Sequence, residues 1–98
     1  MNIFENLAFN EDKPSVLSIR KSDKANLFTV GLKEKQVLAK HVTTVPATLV
    51  LLSGKVDFNI KNETVVLRTG DVFEIPVNLE HVVVGRDIEN IFLIVKEL

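Results

Sequence analysis

His41-Val-Thr-Thr-Val-Pro-Ala-Thr-Leu-Val-Leu-Leu-Ser-Gly54 runs through Lys55-Val-Asp-Phe-Asn-Ile60 and Val65-Val-Leu67 into Gly70-Asp-Val-Phe-Glu-Ile-Pro76-Val-Asn-Leu-Glu-His81. This stretch decides the fold, because it begins and ends on the chain's two histidines and encloses its clearest hairpin. Val56, Phe58 and Ile60 alternate with Lys55, Asp57 and Asn59. That period of two turns one face of a strand to a core and the other to water. The polar residues Lys61-Asn62-Glu63 then return the chain through Thr64 to Arg68, which predicts a pair of antiparallel strands. Thr48 to Leu52 is apolar on both faces, as expected of a strand with a core on one side and a second layer on the other. Gly54 and Gly70 mark bends that a residue without a Cβ tolerates, and Pro76 ends a strand.

Upstream, Gln36 to Val42 reads as a strand with Ala39, His41 and Thr43 on one face and Leu38, Lys40 and Val42 on the other. Ser15–Lys21 and Asn26–Leu32 read as a further antiparallel pair, preceded by a loop at Asn10–Pro14 and by residues 2 to 9 as one helical turn or an edge segment. Downstream, His81–Val84 and Asn90–Val95 flank a loop from Gly85 to Glu89. The total is about nine short strands with turns every ~8–12 residues, the pattern of a sandwich or barrel. No long helix, internal repeat or low-complexity linker interrupts it.

Ninety-eight residues make a single domain. With 46% hydrophobic residues, the chain has more apolar surface than a small monomer needs to bury, so a homodimer is expected. Twelve basic and thirteen acidic residues give a formal charge of −1 without a basic cluster, which argues against a nucleic-acid partner. No run approaches the ~18 apolar residues of a membrane span and the N-terminus lacks a basic leader, so the expected setting is cytoplasmic and away from membranes. The absence of cysteine removes disulfides, thiolate metal sites and thiol nucleophiles. No Ser-His-Asp, phosphate-loop or Cys-His pattern is present.

The two ends of the opening stretch resemble the two sequence motifs of the cupin superfamily. The second motif is Gly, five residues, Pro, one residue, Gly, two residues, His, three residues, Asn. Gly70, Pro76 and His81 fall in register with it, while Asn78 and Gly85 stand at its second Gly and its Asn. The first motif is Gly, five residues, His-x-His, three or four residues, Glu, six residues, Gly. His41 and Gly54 match it, whereas Lys35, Thr43 and Ala47 stand at its first Gly, second His and Glu. The resemblance implies an all-β, antiparallel jelly-roll barrel of six to eight strands in two facing sheets. Residues 1–25 would then form an N-terminal edge segment and 26–96 the barrel core of a 1–98 domain. It also implies an interior pocket, open at one end, into which both histidines project.

Many cupins hold a divalent metal, Fe, Mn, Ni or Zn, with three His and one Glu. Only His41 and His81 occupy such ligand positions here, so a metal would need a carboxylate from elsewhere, with Glu74 and Glu34 the nearest in sequence. The leading expectation is therefore a pocket bounded by His41, Thr43 and His81 that binds a small molecule. A metal-dependent cupin enzyme, an isomerase or a dioxygenase-like oxidoreductase, is the alternative. The plainer alternative makes both rings structural, hydrogen-bonded to backbone, water or Thr43. A third reading is an interaction module with a dimer face at Leu38, Val42, Val82 and Val84. Phe58, Phe73 and Phe92 are expected to fill the core, and Lys40, Arg68 and Glu80 to face solvent.

Overall fold

Residues 1–98 are described by a computed structural model, in which the alternating runs become nine strands. A single helical turn, α1 (Ile3–Asn6), comes first, capped by the Asn2 side chain, which accepts a hydrogen bond from the Glu5 N–H at 3.2 Å. The strands are β1 (Ser15–Lys21), β2 (Ala25–Lys33), β3 (Val37–His41), β4 (Ala47–Ser53), β5 (Lys55–Ile60), β6 (Glu63–Arg68), β7 (Val72–Ile75), β8 (His81–Gly85) and β9 (Glu89–Glu97). Every pairing is antiparallel. One sheet has the order β1-β2-β9-β4-β7 and the other β3-β8-β5-β6. The count exceeds the six to eight strands implied by the resemblance, and β1 forms one edge of the larger sheet.

The two sheets face each other across side chains set by the alternation. Leu32, Leu49, Leu51, Val56, Phe58 and Phe92 have no exposed surface. At about 25 cal/mol per Å² of apolar area, each contributes on the order of 2 kcal/mol of burial. The expected hairpin is β5 and β6, in register from Lys55↔Arg68 to Ile60↔Glu63. Its two connecting residues, Lys61 and Asn62, both have left-handed backbones, with φ of 52° and 61°. This is the geometry whose twist matches that of the flanking strands.

One end of the barrel is closed by Asn90, which is completely buried. Its Nδ2 donates to the carbonyls of Leu32 (3.0 Å) and Asp87 (2.9 Å). Its Oδ1 accepts from the N–H groups of Lys55 (2.9 Å) and Asp87 (3.1 Å). Glycine leaves room for this amide on two sides. A Cβ on Gly54, at φ 98°, would come within 2.5 Å of Asn90 Oδ1, and one on Gly85 within 2.8 Å of Asn90 Nδ2.

The other end is shaped by a bulge in β3. Leu38 pairs with Val83 and His41 with His81, so two residues of β3, Ala39 and Lys40, oppose Val82 alone. The strict alternation read from the sequence is therefore broken. Leu38, expected outside, packs against the core and shares the inner face with His41, three positions later. No helix is long and apolar enough to cross a membrane.

Candidate functional site

His41 and His81 are directly opposite each other at the open end, on adjacent strands of the smaller sheet. Their ring centroids are 6.2 Å apart and the planes are inclined by 27°. His81 belongs to a central strand, between β3 and β5, and its side chain is buried, at 7% exposure. Its ring stacks on Phe58 with centroids 5.0 Å apart, and Phe58 in turn meets Phe73 at 4.7 Å. A column of rings thus runs from the core to the mouth and holds the imidazole in place. His41, at its outer end, is exposed.

Burial of the His81 ring lowers its pKa below the usual histidine value. A long contact of 3.4 Å from Nδ1 to the Leu79 carbonyl works against that shift, while His41 and Lys96 add to it. The ring is therefore neutral at pH 7. With Nδ1 donating to Leu79, Nε2 is left as an acceptor.

The two imidazoles line a cavity of about 150 Å³ between the sheets. Phe28, Val30, Ala47, Ile75 and Ile94 of the larger sheet form its apolar wall, and Leu38, Val42 and Thr43 complete the other side. Thr43 is buried, but its hydroxyl already donates to the Val45 carbonyl at 2.8 Å. It shapes the loop after β3 and presents little free hydrogen-bonding capacity to a ligand. Val16 and Lys96 stand at the rim. A larger space of about 560 Å³ beside His81, between Lys40, Lys61, Glu63 and Glu80, is an open surface groove and excludes no water.

The structure brings together His41, Thr43 and His81 from the sequence reading, and adds three residues that the reading missed. Phe58, expected in the core, also carries the His81 ring. Phe28 and Lys96 line the cavity, and neither lies in a motif. The phase of β9 held a signal for Lys96, because Phe92 and Ile94 face inward and the next residue of that period is Lys96. Lys40, Arg68 and Glu80 are exposed as expected.

The donor set does not suit a divalent metal held by protein groups. No three His, Cys, Asp or Glu residues lie together in a group that could hold one. The Glu74 carboxylate accepts from the Thr48 hydroxyl at 2.9 and 3.0 Å, on the face of β7 opposite the inward Phe73 and Ile75. Glu34 lies at the closed end, where its N–H donates to the Ile88 carbonyl. Thr43 is engaged by backbone and Ala47 has no donor atom. Two imidazoles alone fall short of the three or four protein ligands such sites commonly use. The proposed dimer face is also altered, since Leu38 and Val42 line the cavity, and only Val82 and Val84 remain half-buried on the outer face of β8.

No protein-family model matches the chain. No curated protein matches it either. Solved structures do. An uncharacterised conserved protein with a double-stranded β-helix domain from Klebsiella pneumoniae superposes with a TM-score of 0.89 at 16% identity, over 99% of this chain and 87% of that one. A cupin superfamily protein from Desulfitobacterium hafniense gives 0.86 at 13% identity, over 94% and 84%. An RmlC-like cupin family protein from Methanocaldococcus jannaschii gives 0.80 at 15% identity, over 93% and 87%. Two facing antiparallel sheets, an inward histidine pair at one end and these superpositions agree: the chain has the double-stranded β-helix fold of the cupins.

Proposed function

We propose that the protein binds a small molecule in the cavity between its sheets, with His41 and His81 as the polar groups that orient it. One observation carries this reading: a cavity of about 150 Å³, largely apolar, receives both imidazoles from facing positions on neighbouring strands. A concave apolar site with a few convergent polar groups is the usual form of a ligand pocket. Its volume suits a compact ligand, since a dry cavity of about 150 Å³ accepts a molecule the size of benzene. The neutral His81 ring offers an acceptor at Nε2, and the exposed His41 ring offers a donor or an acceptor to whatever lies between them.

A ligand screen by thermal shift tests the reading. A bound compound raises the melting temperature of the wild type according to its concentration relative to Kd. The same compound has no effect on the His41→Ala/His81→Ala double variant. If a broad set of small polar and mixed compounds produces no shift in the wild type, the binding reading fails. In this reading the functional unit is a homodimer in the cytoplasm, and no metal-dependent step is assigned to the site.

A further inference from the structure

The wall of the cavity has a one-sided charge. Among its residues Lys96 is the only lysine or arginine, and no aspartate or glutamate joins it. Alternation along β9 turns Lys96 to the inner face with Phe92 and Ile94, while Leu93 and Val95 turn outward. Its cross-strand neighbours are Asn26 on β2 and Ala47 on β4, neither of which supplies a counter-charge. The ammonium makes no ion pair and lies 5.7 Å from the centre of the Phe28 ring, itself part of the cavity wall. Elsewhere, Lys33 pairs with Glu11 and Arg86 with Asp57, so Lys96 differs from both in facing an apolar space without an anion.

We propose that the ligand is a monoanion, a carboxylate on an apolar body about the size of benzene, held at the mouth by the Lys96 ammonium with its body among Phe28, Val30 and Ile94. The proposal rests on the pocket reading above and names the class of molecule it serves. A cation without a partner at the rim of an apolar space offers an anion a charge-assisted contact that an uncharged group does not receive. The cation–π contact with Phe28 fixes the ammonium near the rim without neutralising it. A cationic ligand would meet Lys96 and no carboxylate. A multiply charged anion such as a phosphate dianion would bring more charge than one ammonium balances into an apolar sack. The imidazoles then serve the second carboxylate oxygen or a polar substituent on the body, with His41 as the accessible donor.

The test uses the full chain with benzoate and hexanoate as probes, and benzamide and hexanamide as their uncharged counterparts. Affinities are measured by calorimetry, and the ring resonances of His41 and His81 by NMR. The expected result is that each carboxylate binds at least tenfold more tightly than its amide and moves both histidine signals. Lys96→Met should bring the carboxylate-to-amide affinity ratio close to one, and Lys96→Arg should keep the preference. Should Lys96→Met fail to fold, the carboxylate-to-amide ratio in the wild type still decides. Equal binding of acids and amides, with the histidine signals moving in both cases, overturns the anion assignment and leaves the pocket reading intact. Histidine signals unmoved by all four probes overturn the anion assignment and count against the pocket itself.

Discussion

Asn90 and His81 are both buried polar residues, one at each end of the barrel, and their environments set opposite expectations. Asn90 has every hydrogen-bonding group engaged with backbone that it alone can reach. Truncation would remove four hydrogen bonds to three segments of chain, one of them buried and three partly buried. Asn90→Ala should therefore cost roughly 3–4 kcal/mol, at about 1–3 kcal/mol for a buried group left unpaired and less for a partly buried one, read as a lower urea midpoint. His81 is different, since its environment disfavours a proton. Its folded pKa lies below the ordinary value of 6.5, chiefly through burial. As pH falls from 6.5 toward that lower value, the unfolded chain takes up a proton that the folded ring refuses, and stability drops; below the folded pKa the loss from this group levels off. Urea midpoints measured from pH 8 to pH 5 should fall more steeply in the wild type than in His81→Phe. The motif departures also find an explanation at this scale. Lys35 and Asn78 stand where the cupin motifs have glycine, and both have left-handed backbones, with φ of 69° and 62°. The backbone conformation that glycine serves is kept although glycine is gone.

Most strands were legible because a core on one side writes a period of two into the sequence. The β5–β6 hairpin, β7 and β1 all have bounds within a residue of the reading. What was not legible depends on partners distant in sequence. The β3 bulge inserts one residue relative to β8, and nothing in Val37-Leu-Ala-Lys-His41 shows that the strand opposite is one residue shorter. That single insertion reversed the expected orientation of Leu38 and moved it from the proposed dimer face into the cavity wall, which Val42 reaches separately from the loop after β3. The candidate site was half legible for a related reason. His41 and His81 were marked by motif spacing, whereas Lys96 and Phe28 come from strands outside the motifs and reach the site only through the order β2-β9-β4. The hairpin turn gives a prediction at this scale. Lys61 adopts a left-handed conformation that costs about 1–2 kcal/mol in residues with a Cβ, less for Asn and least for Gly. The paired change Lys61→Asn and Asn62→Gly supplies the favoured turn dipeptide and should stabilise the protein by roughly 1 kcal/mol in thermal or urea unfolding.

On the scale of the whole molecule, the larger sheet has an apolar exterior as well as an apolar interior. Leu27, Val50, Leu52, Leu93 and Val95 are half-buried and alternate with the inward residues of β2, β4 and β9. The N-terminal segment covers one part of this face, where Leu7 and Phe9 pack against Gly31. The whole sheet, five strands at a spacing of about 4.8 Å, measures on the order of 600 Å² in plan, below the ~800 Å² per partner of a standard interface, and the part left uncovered is smaller. A second copy applying the same face across a two-fold axis would complete a sheet-on-sheet packing. Sedimentation velocity at micromolar concentration should find a dimer for the wild type and a monomer for Leu93→Lys. A monomeric wild type would leave this face without the proposed role.

The filled interior has one more consequence. Between Asn90 and the cavity the fully buried Leu49, Leu51, Val56, Phe58 and Phe92 fill the barrel, so the cavity does not run through to the far end and is a blind alley. Any guest must back out past Lys96 and Val16 by the way it came. A guest with a long tail would have to trail that tail into the surrounding water, and its grip would stop improving once the alley is full.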